Sequence, residues 1–306
     1  MLSVVIPAYN EEEMVPAAAQ AIAAVLRGAE IPYELVFVDD GSRDKTWPEI
    51  QALASAQVRG VHFSRNFGKE AAIFAGLAAA KGECVAVIDC DLQHPPEKLV
   101  DMYRLWEQGV EVVEGVKADR GKESAAHRLA AATFYRLISR ATRVDMSRAS
   151  DFKLLDRKAV NVILTMREKR AFFRALSSWV GFATAEVPYE VRERTAGQSK
   201  WSTWSLMKYA VSNITAFTAL PLHIVTVLGI VTLLVSVVLG ITALVQKFMG
   251  LALGGFTTVI ILLLFLGSII MISLGIIGYY LGNIYEEIKD RPRYIVAATC
   301  GGREKP

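Results

Sequence analysis

The chain carries two carboxylates one residue apart, in Val87-Ile-Asp-Cys-Asp-Leu-Gln-His, where a short apolar run gives way to polar residues. A turn starting there brings Asp89 and Asp91 towards one cation. Mg²⁺ and Mn²⁺ take a few hard oxygen ligands and leave the rest of their shell to water or phosphate oxygens. Asp89, Asp91 and the amide oxygen of Gln93 would supply such a partial shell. An isolated Asp-x-Asp is common in solvated loops, so its surroundings must decide. A second acidic cluster, Val38-Asp-Asp-Gly-Ser-Arg-Asp-Lys-Thr, also follows an apolar run. Gly41 permits a tight turn, and Asp39 and Asp40 are suited to accept hydrogen bonds from a base or a ribose. Ser42 and Asp44 have a plainer use, as an Asx-turn and helix cap around Asp44–Thr46. A third cluster is Tyr9-Asn10-Glu11.

These clusters need elements that bring them together. Short apolar runs at Ser3–Pro7, Glu34–Val38, Val58–Phe63, Cys84–Ile88 and Val110–Glu114 read as strands. Amphipathic stretches at Glu11–Leu26, Thr46–Ser55, Lys69–Ala80 and Pro96–Gln108 read as helices between them. Such alternation predicts an α/β domain with a mainly parallel sheet and helices on both faces. Ligands of these sheets bind beyond the carboxyl ends of the strands, where all three polar clusters fall. Further on, Asp119–Glu123 reads as a polar loop and Ser124–Thr142 as a long helix. Asp151–Leu155 and Glu186–Arg194 read as further strands, the latter leading into a basic loop at Arg194–Lys200.

Hydrophobic residues make up 53% of the 306, and the excess is concentrated. Neither Tyr209–Gln246 nor Phe248–Tyr285 contains an Asp, Glu, Lys or Arg. Each run exceeds the roughly 20 residues that cross a bilayer, with spans expected near Leu222–Val245 and Phe256–Leu281. Two core helices of a soluble domain would be the alternative, but such helices rarely stay apolar on every face. Basic residues precede the first span (Arg192, Arg194, Lys200, Lys208) and follow the second (Lys289, Arg291, Arg293, Arg303, Lys305). The connector holds only Lys247. The positive-inside rule therefore puts both termini in the cytoplasm. Trp201, Trp204 and Tyr209 suit an interfacial helix before the first span. The expected division is a catalytic domain over residues 1–200, an interfacial helix over 201–220, a two-helix hairpin over 221–284 and a cytoplasmic tail over 285–306. Met1 leads almost directly into a strand without a basic leader, so no signal peptide is expected. The three cysteines lack metal-ligand spacing, which fits a reducing compartment. The net charge of +3 says little by itself, and no nucleic-acid partner is expected.

Val5-Ile-Pro-Ala-Tyr-Asn-Glu-Glu, Val38-Asp-Asp-Gly-Ser and Asp89-Cys-Asp-Leu-Gln resemble the nucleotide-sugar half of family 2 glycosyltransferases, which have the Rossmann-like GT-A fold. Ser64-Arg-Asn-Phe-Gly-Lys, Ser150-Asp-Phe-Lys-Leu, Gly197-Gln-Ser-Lys-Trp and Tyr285-Glu-Glu-Ile-Lys-Asp-Arg-Pro are similar to one branch, the bactoprenol glucosyltransferases and dolichyl-phosphate mannose synthases. The resemblance spans residues 3 to about 296. It implies a nucleotide-sugar donor, with Pro7, Ala8, Tyr9, Glu11, Asp39, Asp40 and Asp89 lining its pocket. It also implies Mg²⁺ or Mn²⁺ on Asp89, Asp91 and Gln93. Pro7 ending a strand, Tyr9 packing and Glu11 favouring a helix N-terminus are the plainer roles.

The acceptor implied is a polyprenyl phosphate held at the inner membrane. Arg120, Arg128, Arg194 and Lys200 are the expected phosphate ligands, Arg being suited to forked contacts and Lys to a point contact. Arg136 and Arg140 read better as a solvated face. Asp151 matches the general base of hydroxyl-directed relatives. A phosphate monoester is already ionised near neutrality, so Asp151 is expected to orient the acceptor or a cation. Asp91, Asp151 and Arg120 are thus the catalytic candidates. The expected reaction is one in-line displacement with inversion, from UDP-glucose first among donors, with GDP-mannose, UDP-galactose and modified pentoses as alternatives. A processive polysaccharide synthase fits less well, because Gln198-Ser-Lys-Trp departs from that branch's Gln-x-x-Arg-Trp and two spans are too few for a channel. A non-catalytic membrane scaffold is opposed by the intact Asp89, Asp91 and Gln93. Similar proteins are homo-oligomers, tetramers among them, so the same is expected here. Cutting after Lys208 is expected to leave nucleotide binding while impairing transfer to lipid.

Overall fold

The computed structural model describes residues 1–118, 150–166, 173–190, 220–249 and 255–302. The chain divides into two compact units, Met1–Met207 with Pro292–Pro306, and Lys208–Arg291.

In the first unit, strands β1 (Leu2–Ala8), β2 (Tyr33–Asp39), β3 (Val58–Phe63) and β4 (Cys84–Val87) alternate with helices α1 (Met14–Gly28), α2 (Thr46–Leu53), α3 (Lys69–Ala79) and α4 (Lys98–Glu107). Then come β5 (Val112–Lys117), β6 (Lys153–Asp156), α5 (Arg157–Thr165), α6 (Phe173–Trp179) and β7 (Thr184–Tyr189). The last strand, β8 (Val296–Cys300), comes from the end of the chain. The strand order is β7-β5-β6-β4-β1-β2-β3-β8. β1 runs parallel to β2 and β4, β2 to β3, and β5 to β7. β6 is antiparallel to both β4 and β5, and β8 to β3. Every residue of β1, β2 and β4 is buried, which explains their continuous apolar runs: both faces of a central parallel strand are covered. The expected α/β architecture is the one that forms.

At the amino ends of the strands, polar groups close the sheet. Glu34 accepts hydrogen bonds from the Ser3 hydroxyl (2.6 Å) and the Lys81 amide (2.6 Å), and pairs with Arg59 (3.3 Å). The carboxyl ends carry the loops with the motif residues.

Several boundaries differ from expectation: β5 is Val112–Lys117 rather than Val110–Glu114, β6 is Lys153–Asp156 rather than Asp151–Leu155, and β7 begins at Thr184 rather than Glu186. Helix α1 starts at Met14, not Glu11. Asn10 takes a left-handed φ of 55°, and the Glu11 carbonyl accepts from the Met14 and Val15 amides, making Glu11–Glu13 a turn. The tail after the second apolar helix is not a free tail, since Val296–Cys300 pairs with β3. A five-residue edge strand of Val, Ala and Thr has no alternation to announce it in the sequence. The predicted helix over Ser124–Thr142, the Arg194–Lys200 loop and the interfacial stretch over Trp201–Leu220 lie outside the described residues, apart from Leu220.

The second unit contains α7 (Leu220–Phe248) and α8 (Phe256–Ile288). At about 1.5 Å per residue, 29 residues of α7 reach ~43 Å, beyond the ~30 Å of a bilayer core. The windows Val225–Thr242 and Phe265–Ile288 have mean hydropathies of 2.5 and 1.8, and no part of either is buried within the protein. Core helices of a soluble domain would be covered, so this exposure argues for membrane association. The hydroxyls of Thr232 and Ser273 donate to the Leu228 and Ile269 carbonyls of their own helices (2.8 Å each), so neither needs water.

Candidate active site

The loops after β1 and β2 are stitched together by backbone-to-side-chain bonds. The Asn10 amide donates to the Ser42 hydroxyl (2.9 Å), and the Arg43 amide donates back to Asn10 Oδ1 (2.9 Å). The Glu11 amide reaches Thr46 Oγ1 (2.8 Å), whose hydroxyl donates to Asp44 Oδ1 (2.6 Å). Burial works against the Asp44 anion, but hydrogen bonds from the Thr46 hydroxyl and nearby amides prevail and hold its carboxyl below the usual range. The plainer role foreseen for Asp44 is therefore present: its side chain accepts from the Thr46 amide (3.0 Å) at the start of α2.

Asp39 and Asp40 sit at the end of β2, and both are buried. Asp39 Oδ2 lies 2.7 Å from His62 Nδ1, and Oδ1 accepts from the Ser42 amide (3.0 Å). Asp40 accepts from the amides of Phe67 (2.6 Å) and Gly68 (2.9 Å). Burial raises the Asp40 carboxyl from its ordinary value even though these amides oppose the shift. A direct nucleoside contact was expected of both residues. In the structure their oxygens also accept from donors of this chain, which ties the β2 end to the neighbouring loops. Gly41 has a φ of +66°, and any Cβ there would collide with the Arg65 backbone, so the β2 loop and the Ser64–Gly68 loop touch only because this residue is glycine. Pro7 and Ala8 complete β1, the Ala8 carbonyl accepting from the Asp40 amide (3.0 Å). Tyr9 is 42% exposed beside them, open to a ligand.

After β4 the chain turns at Asp89–Leu92, with Leu92 at a left-handed φ of 55°. A branched side chain in that region costs on the order of 1–3 kcal/mol, which is tolerated where surrounding structure demands the turn. The Gln93 amide donates to Asp91 Oδ1 (3.1 Å), bracing it. Asp89 Oδ1 pairs with Lys69 Nζ at 2.7 Å. The same ammonium lies 2.8 Å from Asp151 Oδ2. Arg174 of α6 closes on Asp151 with two bonds, Nε to Oδ1 (2.7 Å) and Nη2 to Oδ2 (3.0 Å). Burial alone would raise the Asp151 carboxyl, but Lys69 and Arg174 outweigh it and hold it far below the usual carboxylate range. The two cations thus favour the ionised form of Asp151, which makes it a weak base. Lys69, with a side chain 43% exposed, is the cation that ties the strand-end acid to the acid before β6.

Two more ionisable groups stand close by. His94 is buried, its ring stacked on Phe152 (5.1 Å, 18°) and edge-on to Tyr189 (5.3 Å, 76°). Burial lowers its pKa although Asp89 pulls the other way. Glu70, next to Lys69, accepts from the Phe173 amide (2.8 Å). Burial first, and then the Asp151 anion, push its carboxyl up to about 7. A folded pKa above the ordinary 4.5 means that the folded state holds this proton more tightly. The resulting stability is complete below about pH 4.5 and is lost as pH rises through about 7. Glu70→Gln, which keeps the acceptor for Phe173, should be more stable than the native protein above pH 7, by on the order of 2 kcal/mol. The difference should vanish towards acid pH. Thermal midpoints taken across that interval check it, and a gap of constant size would count against the assignment.

The donor set fits a hard divalent cation. Asp89 Oδ2 receives no hydrogen bond from the described residues, facing an unpartnered His94 Nδ1 at 3.8 Å. No group of three or more His, Cys, Asp or Glu able to hold a metal occurs among the described residues. Asp89, Asp91 and Gln93 lie within one turn after β4, and carboxylate and amide oxygens are the donor types of a hard cation that finishes its coordination on phosphate oxygens and water. Cys90, between the two acids, is buried with its thiol pushed up by desolvation, so it stays a neutral packing group.

Of the expected site residues, Asp89 and Asp151 meet through Lys69, and Asp91 and Gln93 share the same turn. Arg120, Arg128, Arg194 and Lys200 lie outside the described residues. Lys69, Arg174, Glu70 and His94 were not singled out from the sequence as site residues. Lys69 closes the Ser64-Arg-Asn-Phe-Gly-Lys motif, so a signal existed for it. Arg174 has no motif around it, and only the packing of α6 brings it to Asp151.

A glycosyl transferase family 2 model matches residues 3–164. The chain is 37% identical to an uncharacterised glycosyltransferase of Synechocystis sp., over 98% of this chain and 96% of that one. It is 35% identical to a prophage-derived bactoprenol glucosyl transferase of Shigella flexneri, over 98% and 99% of the two chains. Among solved structures, mannosyl-3-phosphoglycerate synthase from Rubrobacter xylanophilus aligns with a TM-score of 0.49 at 20% identity, covering 71% of this chain and 72% of that one. With a family match over more than half its length and relatives aligned nearly end to end, the chain belongs to glycosyl transferase family 2 and is a glycosyltransferase.

Proposed function

We propose that this glycosyltransferase moves a sugar from a nucleotide-sugar, UDP-glucose first among the candidates, to the phosphate of a polyprenyl phosphate such as undecaprenyl phosphate, with inversion at the anomeric carbon. The observation that carries the proposal is the Lys69 bridge from Asp89 to Asp151, together with the Arg174 fork on Asp151. It gathers anions and cations at the carboxyl end of β4 and ties up Asp151, the acid that matches the general base of hydroxyl-directed relatives. A hydroxyl acceptor needs a base. A phosphate monoester does not. Whole-length likeness to bactoprenol glucosyl transferases supports the acceptor class, and the two long apolar helices give the chain the means to meet such a lipid.

When bound through Asp89, Asp91 and the Gln93 amide oxygen, Mg²⁺ or Mn²⁺ supplies electrostatic and Lewis-acid stabilisation to the diphosphate. The chain's own residues do the rest. Asp151, kept ionised, fixes the Lys69 ammonium and the Arg174 guanidinium in place as preorganised positive charge. His94, neutral and stacked, walls off water behind Asp89. Pro7, Ala8, Tyr9 and Glu11 form the rim at which the nucleoside enters, with Asp39 and Asp40 holding the wall beneath. An acceptor phosphate oxygen forms the new bond to the anomeric carbon as the bond to the donor diphosphate breaks, the electron pair leaving with the diphosphate. Arg120, Arg128, Arg194 and Lys200 are assigned to the acceptor phosphate, the catalytic unit and both termini to the cytoplasmic face, and the working form to a homo-oligomer.

Membranes containing the protein, incubated with UDP-glucose, UDP-galactose or GDP-mannose, a divalent cation and undecaprenyl phosphate, should yield a lipid-linked hexose identifiable by mass. Glucose is the expected product. Failure of every donor to label the lipid, while a soluble hydroxyl acceptor is labelled, would overturn the acceptor class.

A further inference from the structure

β8 does more than lengthen the sheet. It lies antiparallel on β3, with Gly60 opposite Cys300, His62 opposite Ala298 and Phe63 opposite Val296, and the register slips between His62 and Phe63. That slip falls where β3 passes into the Ser64–Gly68 loop, beside the His62 ring that faces Asp39. Contact continues beyond the strand. The Ser64 amide donates to the Ile295 carbonyl at 3.0 Å. Tyr294 stacks on Phe63 (5.0 Å, 12°), and Phe63 meets Phe67 edge-on (5.7 Å, 89°). Phe67 and Gly68 supply the amides that hold Asp40.

The segment is pinned at both ends. The Arg293 guanidinium lies 4.3 Å over the Phe74 ring of α3 and donates to the Met166 carbonyl. Gly301 has a φ of +71° where any Cβ would collide with the Val58 carbonyl, and the Gly302 amide donates to the Ser55 carbonyl (2.9 Å). A plain edge cover would need only the ladder, which satisfies the outer amides of β3. The bulge, the ring stack and the Ser64 bond are all directed instead at the loop joining β3 to α3.

We infer that residues 292–302 are a latch for the nucleotide half of the site, with Tyr294 as its positioning residue. Tyr294 acts through Phe63 and Phe67 on the loop that fixes Asp40, and β8 acts on His62 and so on Asp39. Donor affinity therefore depends on chain that follows the second apolar helix. The inference rests on the reading that this crevice takes the nucleotide. It reverses one expectation from the sequence: a fragment ended at Lys208 lacks β8 and loses donor affinity along with its apolar helices.

The test uses the full chain in detergent, titrated with UDP and with GDP in the presence of Mn²⁺. Tyr294→Ala should bind the preferred diphosphate about fivefold more weakly, the size of one lost aromatic pair. Tyr294→Phe, which keeps the ring, should bind as the native protein does. In turnover the Ala variant should show its loss in the donor KM, with kcat changed by less than about twofold. A merely structural role would lower the thermal midpoint and leave the affinity of the folded protein unmoved. Native protein that binds a diphosphate, with Tyr294→Ala binding it equally, overturns the latch alone, and so does failure of the Phe variant to restore affinity. Native protein that binds neither diphosphate overturns the nucleotide reading and the latch with it.

Discussion

Replacing Asp91 with Asn should abolish glycosyl transfer, lowering kcat by about a thousandfold or more, while the fold stays intact. The separation of these effects follows from the geometry. Asp91 Oδ1 accepts from the Gln93 amide at 3.1 Å, and an asparagine Oδ1 accepts the same bond. The turn through Leu92, at φ 55°, is therefore kept, and only the negative charge is removed. On the proposed reading, that charge is what Asp91 supplies to the divalent cation. Transfer of labelled sugar to lipid measures the loss, and an unchanged thermal midpoint shows that folding is spared. Undiminished turnover by the purified variant would refute the cation assignment. Asp89→Asn is a less clean experiment, because it also takes a partner from Lys69.

Lys153→Met should cost about 3–5 kcal/mol of stability, the range for removing one member of a buried ion pair. Lys153 is fully buried, and its ammonium meets Glu114, Ser177 Oγ (2.8 Å) and Ser178 Oγ (3.1 Å). Burial lowers its pKa although the Glu114 anion resists. Methionine fills a similar volume but, among the described residues, leaves the Glu114 carboxylate with the Ser178 hydroxyl (3.0 Å) alone. Adding Glu114→Gln removes the stranded charge, so the double variant should recover most of the loss. Trp106 donates to Asp156 at the end of β6 (2.7 Å) and offers a fluorescence reporter for unfolding of this region. A double variant no more stable than the single one would show that the pair is not the cause. The pair also borders the site. Lys153 lies two residues from Asp151, and Arg174 contributes both the fork on Asp151 and a carbonyl near Lys153 (3.4 Å). The rigidity of this anchor thus helps to fix the charges that face the substrate.

The strand–helix alternation through residue 117 was legible because the central strands β1, β2 and β4 are buried on both faces and the runs are bounded by turn residues. Ser3–Pro7 and Glu34–Val38 each fall within one residue, or two at most, of the observed bounds at either end. The acidic clusters could be placed at the carboxyl ends of the strands for the same reason. What each acid does was less accessible. The partners of Asp39 and Asp40 within the chain, His62, Phe67 and Gly68, could not be foreseen, because they lie more than twenty residues away. Arg174 and Glu70 gave no sign in the sequence, since a lone Arg or Glu in an amphipathic helix is ordinary. β8 was hidden by its length and composition, and only the open edge of β3 gives it a purpose.

Local chemistry therefore determined the class of the protein: an α/β domain with acids at its strand ends, followed by two stretches too long and too apolar to remain in water. Tertiary structure decided the charge states and the alliances. Which carboxylate stays ionised, which cation bridges two acids and which distant strand pairs with β3 all depend on separations of about 3 Å between residues far apart along the chain. Periodicity records which face of an element is buried. It carries no information about what that face will meet.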